Sequence, residues 1–374
     1  MPASFRLAFF YAAMFSLGGV QLPFWPAWLA GRGLSASEIG VMLALGQWVK
    51  LAANPLAGIA ADRRAAPRRV MLALGLGAVV GFALLLPARG FILLLLAGTL
   101  TAACVSALLP LGDHLALAAA YAGKLDYGRV RLWGSLGFIF ATLLADRLIE
   151  ARGAEAVAPL LIGAAALIAV ACAGLPASGN ASPAARDSSW RWLARPSFVA
   201  FLAAAALIQG SHAVYYGFGT LYWQRLGIAD DTIALLWVEG VVAEILLFYW
   251  GVPLLRRLGP HGLLALGGGA GVMRWTLTGF AAGAPALALL QLLHGLTFGA
   301  AHLGAMHFLA RSLPAGQAAT AQALYASVVG IGQGLLMLLA GVLYGALSGR
   351  AFLAMAAVAA AGAALSLLAT ATKS

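Results

Sequence analysis

Hydrophobic residues along this chain do not alternate with polar ones; they come in blocks. FILLLLAGTL from Phe91 and AFLAMAAVAAAGAALSLL from Ala351 are apolar on every face. That excludes the in-and-out alternation of a β-barrel strand and predicts helices whose backbone groups are satisfied internally. A hydrocarbon core about 30 Å thick needs roughly 20 such residues per crossing. Twelve blocks have about that length, near 5–29, 37–61, 70–87, 91–117, 127–149, 155–175, 197–223, 231–255, 261–281, 285–310, 318–346 and 350–371. The pattern predicts an all-α integral membrane protein with twelve transmembrane helices. No small-residue cleavage site follows the first block, which reads as a retained helix.

One polar stretch interrupts the series, SGNASPAARDSSWRWLARPS from Ser178, rich in Ser, Pro and Arg. It predicts two six-helix halves, residues 1–176 and 197–374, joined by a cytoplasmic linker at 177–196. An offset of 194 residues brings parts of the halves into register. WLAGRGLSASEIG from Trp28 falls on YWQRLGIADDTIA from Tyr222, Gly33 falls on Gly227, and Lys50 falls on Glu244. Internal repeats around a midplane site are a transporter pattern, so the expected architecture is two pseudo-symmetric bundles.

Composition sharpens the class. Of 374 residues 63% are hydrophobic and 9% charged, against roughly 25% charged in soluble domains. The net charge of +11 would suggest nucleic acid in a soluble chain; here the positive-inside rule accounts for it. Arg63, Arg64, Arg68, Arg69, Lys124, Arg186, Arg191, Arg195, Arg256, Arg257 and Arg311 fall in loops on one side, which places both termini in the cytoplasm. Cys104 and Cys172 lie inside blocks and read as packing residues. His294, His302 and His307 are spaced around their helix rather than along one face, so no metal site is expected.

Charge inside a block is expensive, roughly 2.5 to 3.5 kcal/mol per group on insertion scales. Lys50, Asp113, His114, Arg131, His212, Glu239, Glu244, Arg274, His294, His302 and His307 all fall there, more than packing accounts for. Arg129, two residues into its helix, snorkels to the interface or binds a phosphate. Arg131 lies deeper and needs a counter-charge. Asp113, Arg131, Glu244 and Arg274 stand on four different helices, two acids and two bases, the arrangement that exchangeable ion pairs across a cavity require. A buried carboxylate beside a guanidinium can take up a proton on one side and release it on the other. Phe24, His212, Tyr215 and Tyr216 sit deeper than an interfacial aromatic belt and are candidates to wall a pocket for a ring-bearing ligand.

GIAADRRAAPRR, from Gly58 to Arg69, resembles the loop signature of the major facilitator superfamily, with Gly58, Asp62 and Arg63 in its gating positions. The spacing to Arg68 and Arg69 is stretched by about one residue, and the second-half copy, GVPLLRRLG, lacks the aspartate. LPFW, PLGDHLA, LDYGRVRLWGS, QGSHAVYYGFGTLYW, GVVAEILLF, GVMRWT and LHGLTFGAAHLGAMH are similar to the 3-phenylpropionic acid transporter group, relatives of the lactose permease type of proton symporter. This resemblance implies the major facilitator fold, alternating access and proton-driven uptake of a small molecule across the bacterial inner membrane. It also implies a monomer among lipids, with no cofactor beyond the proton gradient and no enzymatic activity.

Motif by motif, Asp113 and Arg131 match the permease's sugar-binding acid and arginine, while Arg274 and His294 match its coupling pair. Three residues after that histidine the permease has a proton-binding glutamate; here Thr297 stands, which moves proton binding to Glu244 or Asp113. The expected substrate is a small aromatic carboxylate, clamped by Arg131, with Asp113 as the partner of Arg131 in the empty state. Glu244 carries the proton, assisted by Arg274, His294, His302 and Lys50. The alternatives are a proton symporter for a sugar or nucleoside, and a major facilitator efflux carrier. No nucleophile with an adjacent base points to catalysis.

Overall fold

The computed structural model describes residues 2–64, 66–176, 195–312 and 318–371. Most of the expected linker, 177–194, lies outside them. Every described block is helical. The first unit, Met1–Ser182, contains α1 (Ala3–Gly31), α2 (Ala36–Arg63), α3 (Pro67–Leu84), α4 (Gly90–Ser106), α5 (Leu108–Tyr121), α6 (Tyr127–Arg152) and α7 (Val157–Gly174). The second, Pro183–Ser374, contains α8 (Pro196–Gly210), α9 (Ala213–Arg225), α10 (Asp230–Trp250), α11 (Val252–Thr278) and α12 (Ala284–Leu292). A π-helical segment (Gly295–Ala300), α13 (Ala301–Ser312), α14 (Ala318–Leu347) and α15 (Ala351–Ala371) complete it.

Among the described residues nine helical stretches are long and apolar enough to cross a membrane. The twelve blocks do not reduce to these one for one. α2 and α11 are not among the nine: α2 carries Gln47, Lys50 and Asn54 in its middle, and α11 carries Arg256, Arg257, His261 and Arg274. Conversely, Ala321–Leu368 counts as one stretch, although Ser348, at φ 50°, breaks it between α14 and α15.

Three blocks are broken internally. Ala107 separates α4 from α5, just before Pro110, which has no N–H to continue the ladder. Ser211 and His212 separate α8 from α9. The last block passes from α12 through the π turn into α13.

Packing within each unit relies on small residues, as expected where lipid offers no hydrophobic drive between helices. In the first unit Ser16 Oγ donates to the Gly137 carbonyl at 3.3 Å and Thr142 Oγ1 to the Gly19 carbonyl at 2.9 Å, joining α1 to α6. A Cβ on Gly137 would collide with the Ala12 carbonyl. In the second unit a Cβ on Gly268 would fall 2.8 Å from that of Ala363, joining α11 to α15, and one on Gly295 would fall 2.7 Å from the Ala243 carbonyl on α10. An aromatic core, Phe198, Phe201, Phe308 and Tyr325, fills one end of this unit, with Phe201 and Phe308 stacked at 4.0 Å.

The 194-residue offset reappears in the backbone. Gly33 (φ 87°) and Gly227 (φ 75°) close α1 and α9 in the left-handed conformation that glycine adopts without a Cβ penalty. Gly33 N–H donates to the Ala30 carbonyl and Leu34 N–H to Leu29; Gly227 donates to Gln224 and Ile228 to Trp223. α2 and α10 then begin at Ala36 and Asp230, α3 and α11 end at Leu84 and Thr278, and α4 and α12 begin at Gly90 and Ala284. The 3-10 turns Ala154–Ala156 and Ser348–Arg350, with α7 and α15 after them, keep the same spacing.

Candidate functional site

In the first unit the chain enters α6 through Asp126, whose carboxylate accepts from the Arg129 N–H at 3.0 Å and caps the helix. The Arg129 side chain is 90% exposed, 3.9 Å from Asp126. Two residues on, Arg131 is half-buried and turned the other way, its guanidinium 4.1 Å from the Phe15 ring centroid and 5.2 Å from that of Tyr11. Gly134, one turn further, makes room for it: a Cβ there would stand 3.1 Å from Arg131 Nη1.

Asp113 does not pair with Arg131. Its Oδ1 accepts from the Tyr11 hydroxyl at 2.5 Å and from the Tyr127 hydroxyl at 3.1 Å. Among the described residues no ion pair joins Asp113 to Arg131 within 4.0 Å. The expected empty-state salt bridge is thus replaced by two phenols, whose rings meet edge to face at 6.4 Å. The reason is local: a Cβ on Gly112 would strike the Phe10 ring, so α5 comes close enough to α1 for Tyr11 to reach the acid.

The second unit assembles a sealed polar network around Arg274, which is 1% exposed. Arg274 Nη1 lies 3.0 Å from His294 Nδ1 and donates to Thr297 Oγ1 at 3.0 Å, while Nη2 donates to Gln291 Oε1. Gln291 Nε2 donates in turn to the Tyr215 hydroxyl at 2.9 Å and the Leu236 carbonyl at 2.8 Å. The guanidinium also lies over the rings of Tyr215 and Trp275, at 4.6 and 4.7 Å.

Donor chemistry fixes the tautomers. Arginine can only donate, so His294 Nδ1 accepts and, in the neutral ring, its proton sits on Nε2, 3.9 Å from Glu244 Oε2. His212 Nδ1 lies 3.3 and 3.2 Å from the Ile208 and Gln209 carbonyls, so it carries the proton there and Nε2 accepts from Thr297 Oγ1 at 3.2 Å. His294, just before the π segment, and Thr297, inside it, both reach Arg274. Such insertions recur at functional sites.

A half-buried acid and guanidinium in one unit, with a sealed arginine–histidine network reaching a carboxylate in the other, suit recognition and proton handling inside a membrane. The family model that matches the chain covers residues 4–354. The chain belongs to the MFS_1 like family. It is 33% identical over 366 residues to the probable 3-phenylpropionic acid transporter of Escherichia coli (strain K12), covering 94% of each chain. It is 32% identical over 335 residues to the maltose permease of Geobacillus stearothermophilus, covering 87% of this chain and 83% of the permease. Among solved structures, a mutant of the nucleoside transporter NupG superposes with a TM-score of 0.85 at 17% identity, over 98% of this chain and 99% of that one. The protein is therefore a membrane transporter of the major facilitator type, not an enzyme, and handles small molecules.

For a member of this family, the other sequence candidates fall into place unevenly. Phe24, His212 and Tyr215 are buried, at 6%, 0% and 2% exposure. Rather than walling an open pocket, His212 and Tyr215 belong to the Arg274 network. Tyr216 is half-buried and stacks on His212 at 5.4 Å. His302 stacks on Phe298, which stacks on His294. Lys50 donates to Gln47 Oε1 at 2.8 Å, one turn away on α2. Glu239 borders an apolar groove of about 560 Å³ with Leu235, Leu292 and Leu296. Asp62 and Arg63 are exposed at the end of α2, with Gly58 one turn before.

Sequence reasoning missed Tyr11, Tyr127, Gln291 and the buried acid Asp146. Gln291 could have been found: it is the single polar residue in ALALLQLL and stands one turn before His294. Tyr127 lies inside the arginine motif itself. Tyr11 carries no local signal.

Proposed function

We propose that this transporter imports a small aromatic carboxylate, of the 3-phenylpropionate kind, across the bacterial inner membrane together with protons. Alternating access moves it, through twelve transmembrane helices in two six-helix bundles, 1–176 and 197–374, linked at 177–196, with both termini cytoplasmic and the chain acting as a monomer. The proton gradient is its energy source, with no cofactor and no metal.

The observation that carries the reading is the Arg131 site. A guanidinium presents paired donors that match two carboxylate oxygens. Here it lies against two aromatic rings, Tyr11 and Phe15, and among the described residues no carboxylate is bonded to it. That combination suits an anion carrying a ring. The 33% identity to the probable 3-phenylpropionic acid transporter supports the same substrate class. Glu244 is the proton carrier in this reading, and the Arg274–His294 pair governs it through the Nε2 proton that faces its carboxylate.

Uptake of labelled 3-phenylpropionate into proteoliposomes under an imposed pH gradient tests both halves. Arg131→Ala is expected to abolish saturable uptake. Glu244→Gln is expected to abolish accumulation against a gradient while keeping exchange of labelled for unlabelled substrate. Normal accumulation by either variant at wild-type density refutes the corresponding assignment. A sugar reading is favoured by the likeness to the maltose permease. Asp113→Asn separates the two: it removes an acceptor that a neutral sugar needs, so sugar uptake would be lost, whereas uptake of an acid persists.

A further inference from the structure

We propose that Tyr11 and Tyr127 form a phenol clamp that keeps the Asp113 carboxylate off Arg131, so that the guanidinium stays open to a carboxylate from outside. The inference rests on the reading of Arg131 as the substrate's anion clamp.

An acid and a guanidinium on neighbouring helices, both half-buried, attract each other, and the ordinary outcome is an ion pair. Such a pair would occupy the paired N–H donors that an incoming carboxylate needs. This unit avoids it by giving each partner a different neutral companion. Asp113 receives two hydroxyl donors on one oxygen, from Tyr11 on α1 and Tyr127 at the start of α6. Arg131 receives the faces of Tyr11 and Phe15, which attract a cation without using its N–H groups. Among the described residues it makes no hydrogen bond to a protein acceptor within 3.5 Å.

Tyr11 serves both partners at once, its hydroxyl on the acid and its ring on the guanidinium, and so fixes their separation. Tyr11 and Tyr127 are positioning residues for the binding step, acting through Asp113. The acid beside the clamp then acts as a competitor: whatever frees it from the phenols offers Arg131 an internal partner in place of the substrate.

Phenylalanine keeps each ring and deletes only the hydroxyl, so Tyr11→Phe/Tyr127→Phe is the test. In labelled 3-phenylpropionate exchange the double variant is expected to raise KM about ten-fold, the equivalent of roughly 1.4 kcal/mol, with the maximal rate within about two-fold. Adding Asp113→Asn removes the competitor and is expected to bring KM back within about three-fold of the wild type. A structural role for the hydroxyls would not be rescued by that third change, so a triple variant as impaired as the double overturns the clamp. An unchanged KM in the double variant also overturns it.

Should the double variant fold poorly, the single variants Tyr11→Phe and Tyr127→Phe are each expected to raise KM about three-fold, and no change in either refutes the clamp. A readout free of substrate separates this inference from the function it rests on. Modification of Arg131 by phenylglyoxal, followed by mass spectrometry, is expected to slow in the double variant and recover in the triple. If Arg131→Ala leaves uptake normal but the modification pattern holds, the substrate reading fails and the clamp stands. If Arg131→Ala abolishes uptake and the modification rate never changes, the clamp fails and the substrate reading stands.

Discussion

The two units share a scaffold and differ in what they bury. At one end of each, helix ends, helix starts and tight turns repeat with a constant spacing of 194 residues, from Gly33 and Gly227 to the turns at Ala154–Ala156 and Ser348–Arg350. Inside, the two polar centres are not copies of each other. At the same spacing Asp113 and Arg131 correspond to His307 and Tyr325, and Arg274 and His294 correspond to Val80 and Leu100. The first unit holds a half-buried acid and base kept apart by phenols; the second holds a sealed cation knitted into amide, hydroxyl and imidazole groups. Turn geometry tolerates few backbone solutions and so persists between copies. A polar interior is constrained only by having every buried group paired, and can diverge as each half takes a different task.

The largest expected effect is the contrast in stability between the two arginines. Arg274→Ala strands His294 Nδ1, Gln291 Oε1 and Thr297 Oγ1 in the interior, and three lost partners at about 1 kcal/mol each predict a loss of about 3 kcal/mol or more. Arg131→Ala removes only ring contacts at a half-buried position, predicting under about 1 kcal/mol. Denaturant titration of the purified variants checks the ratio; equal losses would erase the distinction between a sealed and an open centre. A smaller effect probes the sealed network alone. Thr297→Val keeps the shape but deletes the acceptor of Arg274 and the donor to His212, and is expected to cost about 1 to 2 kcal/mol in the same titration. The smallest prediction tests the scaffold. Gly33→Ala and Gly227→Ala each force a Cβ into the left-handed region and should cost about 1 kcal/mol apiece, equal within about 0.5 kcal/mol; unequal costs would mean that the repeated caps are not equivalent.

Much of the fold could be read from the blocks of apolar residues, since a helix in lipid needs only length and hydrophobicity. The internal breaks could not. Ala107, Ser211 and the π segment interrupt blocks that are mostly apolar on either side of the break, and hydropathy registers composition, not the hydrogen-bond ladder. The repeat was legible in the turns that close α1 and α9 and open α2 and α10, while its continuation through α3 and α11, α4 and α12 and the 3-10 turns became visible only in the backbone. Of the candidate site, Arg274 and His294 were visible as charges too costly to place in lipid. Their companion Gln291 was not, because a neutral polar residue raises no such alarm, and Thr297 stood out only as the residue in place of the permease's glutamate. The Asp113–Arg131 pairing was expected from charge and from the permease resemblance and is not what the structure shows, because the competing donors are tyrosines, residues that a hydropathy reading treats as part of the apolar wall.

By itself the sequence determined that the chain is helical and belongs in a membrane, that its two halves share turns, and that several ionisable groups fall inside the apolar blocks. These follow from local composition and spacing, where solvation cost dominates. Only the tertiary structure decided which group each charge meets. Tyr11 lies 102 residues from Asp113, and His212 lies 85 from Thr297; pairings at that range depend on how closely glycines let helices approach, and a hydrogen bond changes hands over about an ångström.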